Sequence, residues 1–222
     1  MTVIAVTGLA REARIARRAG ATPVIGAGDE ALLTRRLHEA IAAGARGIIS
    51  FGIAGALAPL LKPGDTIVAT HVVHGKERYA TDERWTAAIR KALPGARPAI
   101  IVGHGEIVSN VDGKKRLFAM SGAHAVDMES HIAARIAKSH GLPFVALRTI
   151  SDAATRGLPP AALTQLKANG SINLLGVLGS VATEPSQIGD LMTTGRESGK
   201  AFRSLVVGRR RLGLLLGFPY LG

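Results

Sequence analysis

The chain is expected to fold as an α/β sheet covered by helices on both faces. Three features lead there. Short β-branched runs alternate with helical patterns along the chain, as they do in layered α/β architectures. Several apolar runs pass directly into Gly, Ser or Asp, the way strands end at the mouth of such a sheet. The chain's 222 residues, 47% of them hydrophobic, suffice for one such domain or two small ones with a buried core.

The elements follow in order. Val3 to Val6 is a first strand, closed by Gly8. Arg11 to Ala19 reads as a helix. Asp29 to Ala43 is a clearer one: Leu32, Leu33, Leu37, Ala40 and Ile41 share a face, Asp29 can cap it and Gly44 ends it. Gly47 to Phe51 is a buried strand entering a Gly-rich turn, Gly52-Ile53-Ala54-Gly55. Pro63-Gly64-Asp65 introduces a strand from Thr66 to Val73, and Thr81 to Leu93 looks helical. Ala99 to Val102 is an apolar strand, Glu129 to His140 a helix, and Pro143 to Ile150 a strand ending in Ser151-Asp152. Pro160 to Val181 reads as a long helix. The composition changes near Glu184-Pro185, so residues 184–222 are treated as an appendage to a body of residues 1–183.

Composition narrows the function. The absence of Cys removes disulfide scaffolds, Cys-ligated zinc, iron–sulfur clusters and thiol catalysis. No metal-ligand cluster is visible: the seven His are scattered, and His71 and His74 on a strand pattern read as structural. The net charge of +12 invites a nucleic-acid role, but aromatics make up only 4%, too few for base stacking. No export signal or membrane-length apolar run is seen, which leads to a cytoplasmic expectation.

Strand ends carry the candidate chemistry, and in such sheets they point to Phe51–Ala56, His104–Asn110 and Ser151–Asp152. The small residues of FGIAGAL, Phe51 to Leu57, would let backbone approach a ligand, although a tight strand–helix turn explains them equally well. In AVDMES, Glu129 suits a sugar diol and Met128 an apolar sugar face; an acidic first helical turn is the plainer explanation. In LRTISDAA an apolar strand delivers Asp152 to the sheet mouth, where burial would suit it to general acid work; capping a turn is the alternative.

Together these segments resemble the nucleoside phosphorylase/nucleosidase superfamily, especially its methylthioadenosine/S-adenosylhomocysteine nucleosidase branch. The resemblance runs through GIISFGIAGALAPLLKPGD and AVDMESHIAARIAKSHGLPFVALRTISDAA and covers roughly residues 1 to 183. It implies a three-layer αβα fold with a mixed central sheet, here with a helical C-terminal extension. It implies cleavage of an N-glycosidic bond with release of adenine. Asp152 would protonate the purine at N7, with Ser151 orienting it. Glu129 and Met128 would hold the ribose, and Ile107 and Val108 the purine. Gly52, Ile53 and Ala54 stand in the turn that faces the nucleophile, with Ile53 where the family usually has Ser. Glu12 falls one residue off the register of the family's water-activating Glu. Gly8, Arg11 and Arg14 are candidate phosphate ligands, so phosphate or water as nucleophile stays open. The resemblance implies no cofactor beyond phosphate as co-substrate, and a homo-oligomer.

After Glu197 there is no acidic residue, while Lys200, Arg203, Arg209, Arg210 and Arg211 precede the apolar LGLLLGFPYLG. Such a tail would suit peripheral contact with an anionic inner-membrane surface; a helix packed on the body is the alternative. With it the chain is most similar to the hopanoid-associated phosphorylase subfamily, which implies adenosylhopane, a lipid-linked nucleoside, as substrate. A general methylthioadenosine/S-adenosylhomocysteine nucleosidase is the alternative substrate class. A non-catalytic nucleoside-binding protein is the alternative of another kind.

Overall fold

The computed structural model describes residues 2–159, 170 and 188–220. Eight strands form one mixed sheet: β1 (Thr2–Thr7), β2 (Thr22–Ile25), β3 (Ala45–Ala56), β4 (Thr66–His74), β5 (Glu77–Ala80), β6 (Arg97–Gly103), β7 (Ala125–Asp127) and β8 (Phe144–Asp152). The helices are α1 (Ala10–Arg17), α2 (Glu30–Ala42), α3 (Glu83–Ala92), α4 (Val111–Ser121), α5 (Ser130–Ser139) and α6 (Ile188–Leu212); a short 3-10 turn, Leu214–Gly217, follows.

The sheet partly closes on itself. Strand β3 pairs with β8 in parallel and with β7 antiparallel. β4 pairs with β8 antiparallel and with β6 in parallel, and β6 joins β7. These five strands form a ring, with β1–β2 extending from β3 and β5 from β4.

Strand alternation divides the core into two layers. On β1, Ile4 and Val6 face one side while Val3 and Ala5 face the other; on β8, Phe144, Ala146 and Ile150 oppose Val145 and Leu147. The first side packs under Leu33 and Leu37 of α2 and Ile132, Ala133, Ile136 and Ala137 of α5. The second packs under Ile15 of α1, Trp85 and Ile89 of α3, and Phe202, Leu205 and Leu212 of α6. The three layers predicted from the sequence are therefore present. Helix caps fix several of these elements: Asp29 accepts from Leu32 N at 2.8 Å, Asp82 from Trp85 N at 2.7 Å and Asn110 from Gly113 N at 2.7 Å.

Several expectations are corrected. Gly52 to Gly55 are not a turn: β3 runs through them, held by pairing with Arg148 to Asp152 of β8. Strands β2 and β5 and helix α4 are not evident in the sequence, because they are short or lack a clear apolar period, whereas β7 supplies the strand end expected at AVDMES. The apolar end of the chain does not stand away from the body. Leu215, Leu216 and Phe218 are buried beside Trp85, whose Nε1 donates to Leu216 O at 3.1 Å. The helix expected over Pro160 to Val181 lies outside the described residues apart from Gly170.

Candidate active site

A cavity of about 190 Å³ opens where β3, β7 and β8 end. Three segments separated in sequence meet there: Ile53–Gly55, Glu106–Val108 and Ser151–Asp152. Gly8, Leu9 and Glu12 close one side, Val126 to Glu129 another, and Leu158 a third. A larger cavity of about 550 Å³ lies elsewhere, between the Arg78–Asp82 segment and the Gly141–Phe144 turn, away from these strand ends.

Backbone irregularity aims Asp152. Ala54 pairs with Ile150, but Gly55 pairs with Asp152, so Ser151 is the extra residue of a bulge. The bulge turns both Ser151 and Asp152 toward the cavity, which strict alternation forbids. Gly55 makes room: a Cβ there would sit 3.2 Å from Asp152 Oδ2. Ser151 Oγ donates to Asp152 Oδ1 at 2.5 Å and lies 3.2 Å from Ala54 O. Lys114, from α4, donates to Asp152 Oδ2 at 2.5 Å.

The opposite end is built around Arg148, which is 1% exposed in the middle of β8. Its Nε lies 2.7 Å from Asp127 Oδ2 and its Nη2 lies 3.5 Å from Glu129 Oε2. Nη2 also donates to Ser50 Oγ at 2.6 Å. Asp127 is further held by the hydroxyl and the backbone N–H of Ser130. Glu12 accepts from Gly8 N at 2.9 Å, Leu9 N at 2.8 Å and Ile53 N at 2.8 Å. Burial raises the proton affinity of Glu12, opposed by the Arg148 charge. Burial likewise pushes Glu129 up to about 8, against Arg148 and with Asp127 and Glu12 adding like-charge repulsion. One guanidinium is too little for three buried carboxylates, so near neutral pH Glu129 holds a proton.

Most candidate residues stand in this one cavity: Glu12, Ile53, Ala54, Ile107, Val108, Met128, Glu129, Ser151, Asp152 and Gly8. Gly52 does not line it. A Cβ at Gly52 would meet Glu12 Oε1 at 2.4 Å and Arg148 Nη1 at 2.6 Å, so its role is to let those two side chains approach the strand. Arg11 and Arg14 are corrected outright. Both lie on the exposed side of α1, where Arg11 stacks over the Phe202 ring at 4.1 Å. The α1 period turns them away while it turns Glu12 inward.

Sequence reasoning missed Arg148 and Lys114. Arg148 carried a signal: a charge inside the apolar run Phe144–Ile150 requires buried acidic partners. Lys114 carried none, since Lys114-Lys115-Arg116 on a helix reads as a solvated face. His74 stacks on His131 with ring centroids 4.2 Å apart, and burial beside that neighbour lowers His131 to about 4. Among the described residues no group of three His, Cys, Asp or Glu could hold a metal ion.

The ring-closed mixed sheet between two helical layers, with acidic side chains gathered at its strand ends, places the protein in the α/β class typical of small-ligand enzymes. A profile described as the phosphorylase superfamily matches residues 2–183, and the chain belongs to that superfamily. Among curated relatives, the 5′-methylthioadenosine/S-adenosylhomocysteine nucleosidase of Anoxybacillus flavithermus is 30% identical over 133 residues, 48% of this chain and 56% of that protein. The same-named nucleosidase of a Marinomonas species is 28% identical over 145 residues, 54% of this chain and 62% of that protein. The chain thus spans little more than half the length of the curated relatives it matches. In fold it is similar to the Helicobacter pylori 5′-methylthioadenosine/S-adenosylhomocysteine nucleosidase, solved in complex with a substituted pyrrolidin-3-ol. The TM-score is 0.70 at 16% identity over 96% of both chains. It is also similar to the futalosine hydrolase of the same organism, with TM-score 0.61 and 17% identity over 93% of this chain and 97% of that one.

Proposed function

We propose that the protein hydrolyses the N-glycosidic bond of a 5′-substituted adenine nucleoside, as the names of its nucleosidase relatives suggest. The observation that carries this reading is the placing of Asp152 at one end of a single cavity and of Glu12 and Glu129 at the other. Asp152 gives a proton to purine N7, and the C1′–N9 bond breaks with the electron pair leaving on a neutral adenine. Glu129 and Met128 hold the ribose, and Ile107, Val108 and Leu158 flank the base. Water adds at C1′ and loses its proton to Glu12, whose burial makes it the stronger base.

Water is favoured over phosphate by the partners of Glu12. The backbone N–H groups of Gly8, Leu9 and Ile53, which could cradle an anion, are already taken by the Glu12 carboxylate. Ile53 adds an apolar wall. A phosphate dianion would also face the Asp127 carboxylate.

The test is adenine release from methylthioadenosine, S-adenosylhomocysteine and adenosylhopane, with and without inorganic phosphate. Release from the first two without phosphate is expected. An absolute phosphate requirement overturns hydrolysis, release from adenosylhopane alone moves the substrate to the lipid-linked class, and no release from any of the three overturns the enzyme reading.

Two partner readings belong to the same proposal. Helices α1, α3 and α6 cover one face and together carry twelve Lys or Arg against four Asp or Glu, whereas α2 on the other face carries two of each. Arg14, Arg17, Arg203, Arg210 and Arg211 are exposed there, alongside Val207 and Leu214. This supports peripheral contact of that helical face with an anionic lipid surface, in place of the buried apolar tail. No helix among the described residues is long and apolar enough to cross a membrane. Binding to phosphatidylglycerol vesicles at low salt, lost at high salt and absent with phosphatidylcholine alone, is expected; no binding at low salt removes the reading. A homo-oligomer would cover the exposed Leu60, Phe118 and Met120, and light scattering checks its size.

A further inference from the structure

Lys114 is 1% exposed, and its ammonium makes three hydrogen bonds. Nζ donates to Asp152 Oδ2 at 2.5 Å, to Ala153 O at 2.8 Å and to Arg156 O at 2.8 Å. An ammonium has three N–H donors, and each has an acceptor here. Solvent does not share this ion pair: the two side chains are 1% and 8% exposed. Among the described residues, the other ionisable groups lining the cavity are Glu12 from α1, Glu106 from the loop after β6, and Asp127 and Glu129 from the β7–α5 junction. All four are acidic. Arg148 lies at their end and is engaged with Asp127 and Glu129. Lys114 is therefore the cation in contact with Asp152.

The same lysine joins two walls of the cavity. It stands in the first turn of α4, the helix that follows the Glu106–Val108 wall, and it grips the turn that follows Asp152. Leu158 N donates to Ser109 O at 2.7 Å, a second tie between these segments. Moving Lys114 would move the Asp152 carboxyl relative to the base wall, and misplacement of a reacting group by about 1 Å can cost about a hundredfold in rate.

We infer that Lys114 is a positioning residue for the reaction, one that holds the Asp152 carboxyl in line with the purine. This rests on the reading of Asp152 as the proton donor.

The experiment compares the parent with Lys114→Met, Lys114→Gln and Asp152→Asn, measuring kcat and KM. Gln keeps N–H donors for the carbonyls of Ala153 and Arg156 while removing the charge. Both neutral variants are expected to lose about a hundredfold in kcat, with KM nearly unmoved. Because the chain has no Cys, Lys114→Cys alkylated with bromoethylamine while unfolded and then refolded rebuilds an ammonium at this one place, and should restore turnover. A folded neutral variant with parental kcat overturns the inference. So does failure of both neutral variants to fold, since the lysine is then a structural anchor. If Asp152→Asn keeps parental activity, the reading of Asp152 fails first; if it is inactive while the Lys114 variants match the parent, only the inference about Lys114 fails.

Discussion

At the Ser151–Asp152 end of the cavity one carboxylate meets one ammonium; at the Gly8–Glu12 end three carboxylates meet one guanidinium. Both ends are buried and both use side chains of the same chemical kind. The difference lies in the count of counter-charges. At the first end each charge has a partner, and every N–H of Lys114 is bonded. At the second, Arg148 is shared among Asp127, Glu129 and Glu12, so burial wins at Glu129 and a proton stays on it up to about pH 8. Local charge balance thus differs within one cavity, and at Glu129 and Glu12 proton affinity follows it.

The sharpest way to break this contrast is to remove the acid. Asp152→Asn keeps the shape and can still accept from Ser151 or Lys114, but it has no proton to give. Adenine release should fall about 10²- to 10⁴-fold, the usual contribution of a general acid. Nucleoside binding, followed by calorimetry, should persist. Parental turnover would show that the two ends are not divided as acid and base.

Removing the shared cation breaks the other end. Arg148→Met preserves much of the volume yet leaves three buried carboxylates without their guanidinium. Loss of one member of a buried ion pair typically costs about 3–5 kcal/mol. Urea unfolding should show a destabilisation of that order, or the protein should fail to accumulate folded. A variant within about 1 kcal/mol of the parent would mean that these carboxyls take up protons in place of the cation, as buried unpaired charges do.

How much of this was legible in the sequence follows the same division. Strands β1, β3, β4, β6 and β8 and helices α2 and α5 announce themselves by periodicity, because their buried faces are long and apolar. Glu129 and Asp152 could be singled out since acidic groups at apolar strand ends are unusual; Glu12, inside α1, was reached only through the family resemblance. Arg148 was legible in principle, as a charge in an apolar run. Lys114 was not, because nothing local separates a lysine that turns inward from the exposed Lys115 beside it; its partner is 38 residues away. Gly52 was misread for a related reason. Its glycine was taken for a turn, whereas what demands it is the approach of Glu12 and Arg148 from other elements.

Gly52 therefore sharpens the comparison at a smaller scale. Gly52→Ala puts a Cβ where Glu12 Oε1 and Arg148 Nη1 now sit, at 2.4 and 2.6 Å. Overpacking of this kind costs about 1–3 kcal/mol. Gly55→Ala is milder, since its nearest neighbour, Asp152 Oδ2, would stand 3.2 Å away. Denaturant midpoints of the two variants should therefore differ, with Gly52→Ala the less stable. Equal midpoints would mean that the crowded end yields as easily as the balanced one.

The mildest probe is pH. Glu129 has a proton affinity of about 8 in the folded state against an ordinary 4.5, so between those values the folded chain holds a proton that the unfolded chain has released. By linkage, stability falls as pH rises through this window, is unaffected by this group below about 4.5, and has borne the full cost above about 8. The slope is at most about 1.4 kcal/mol per pH unit for one proton. Glu12, raised in the same direction, adds to it. Urea midpoints measured from pH 5 to 8 should fall in the parent and fall less steeply in Glu129→Gln, which carries no titrating proton. Parallel slopes would place the retained proton on another group and leave the two ends of the cavity alike.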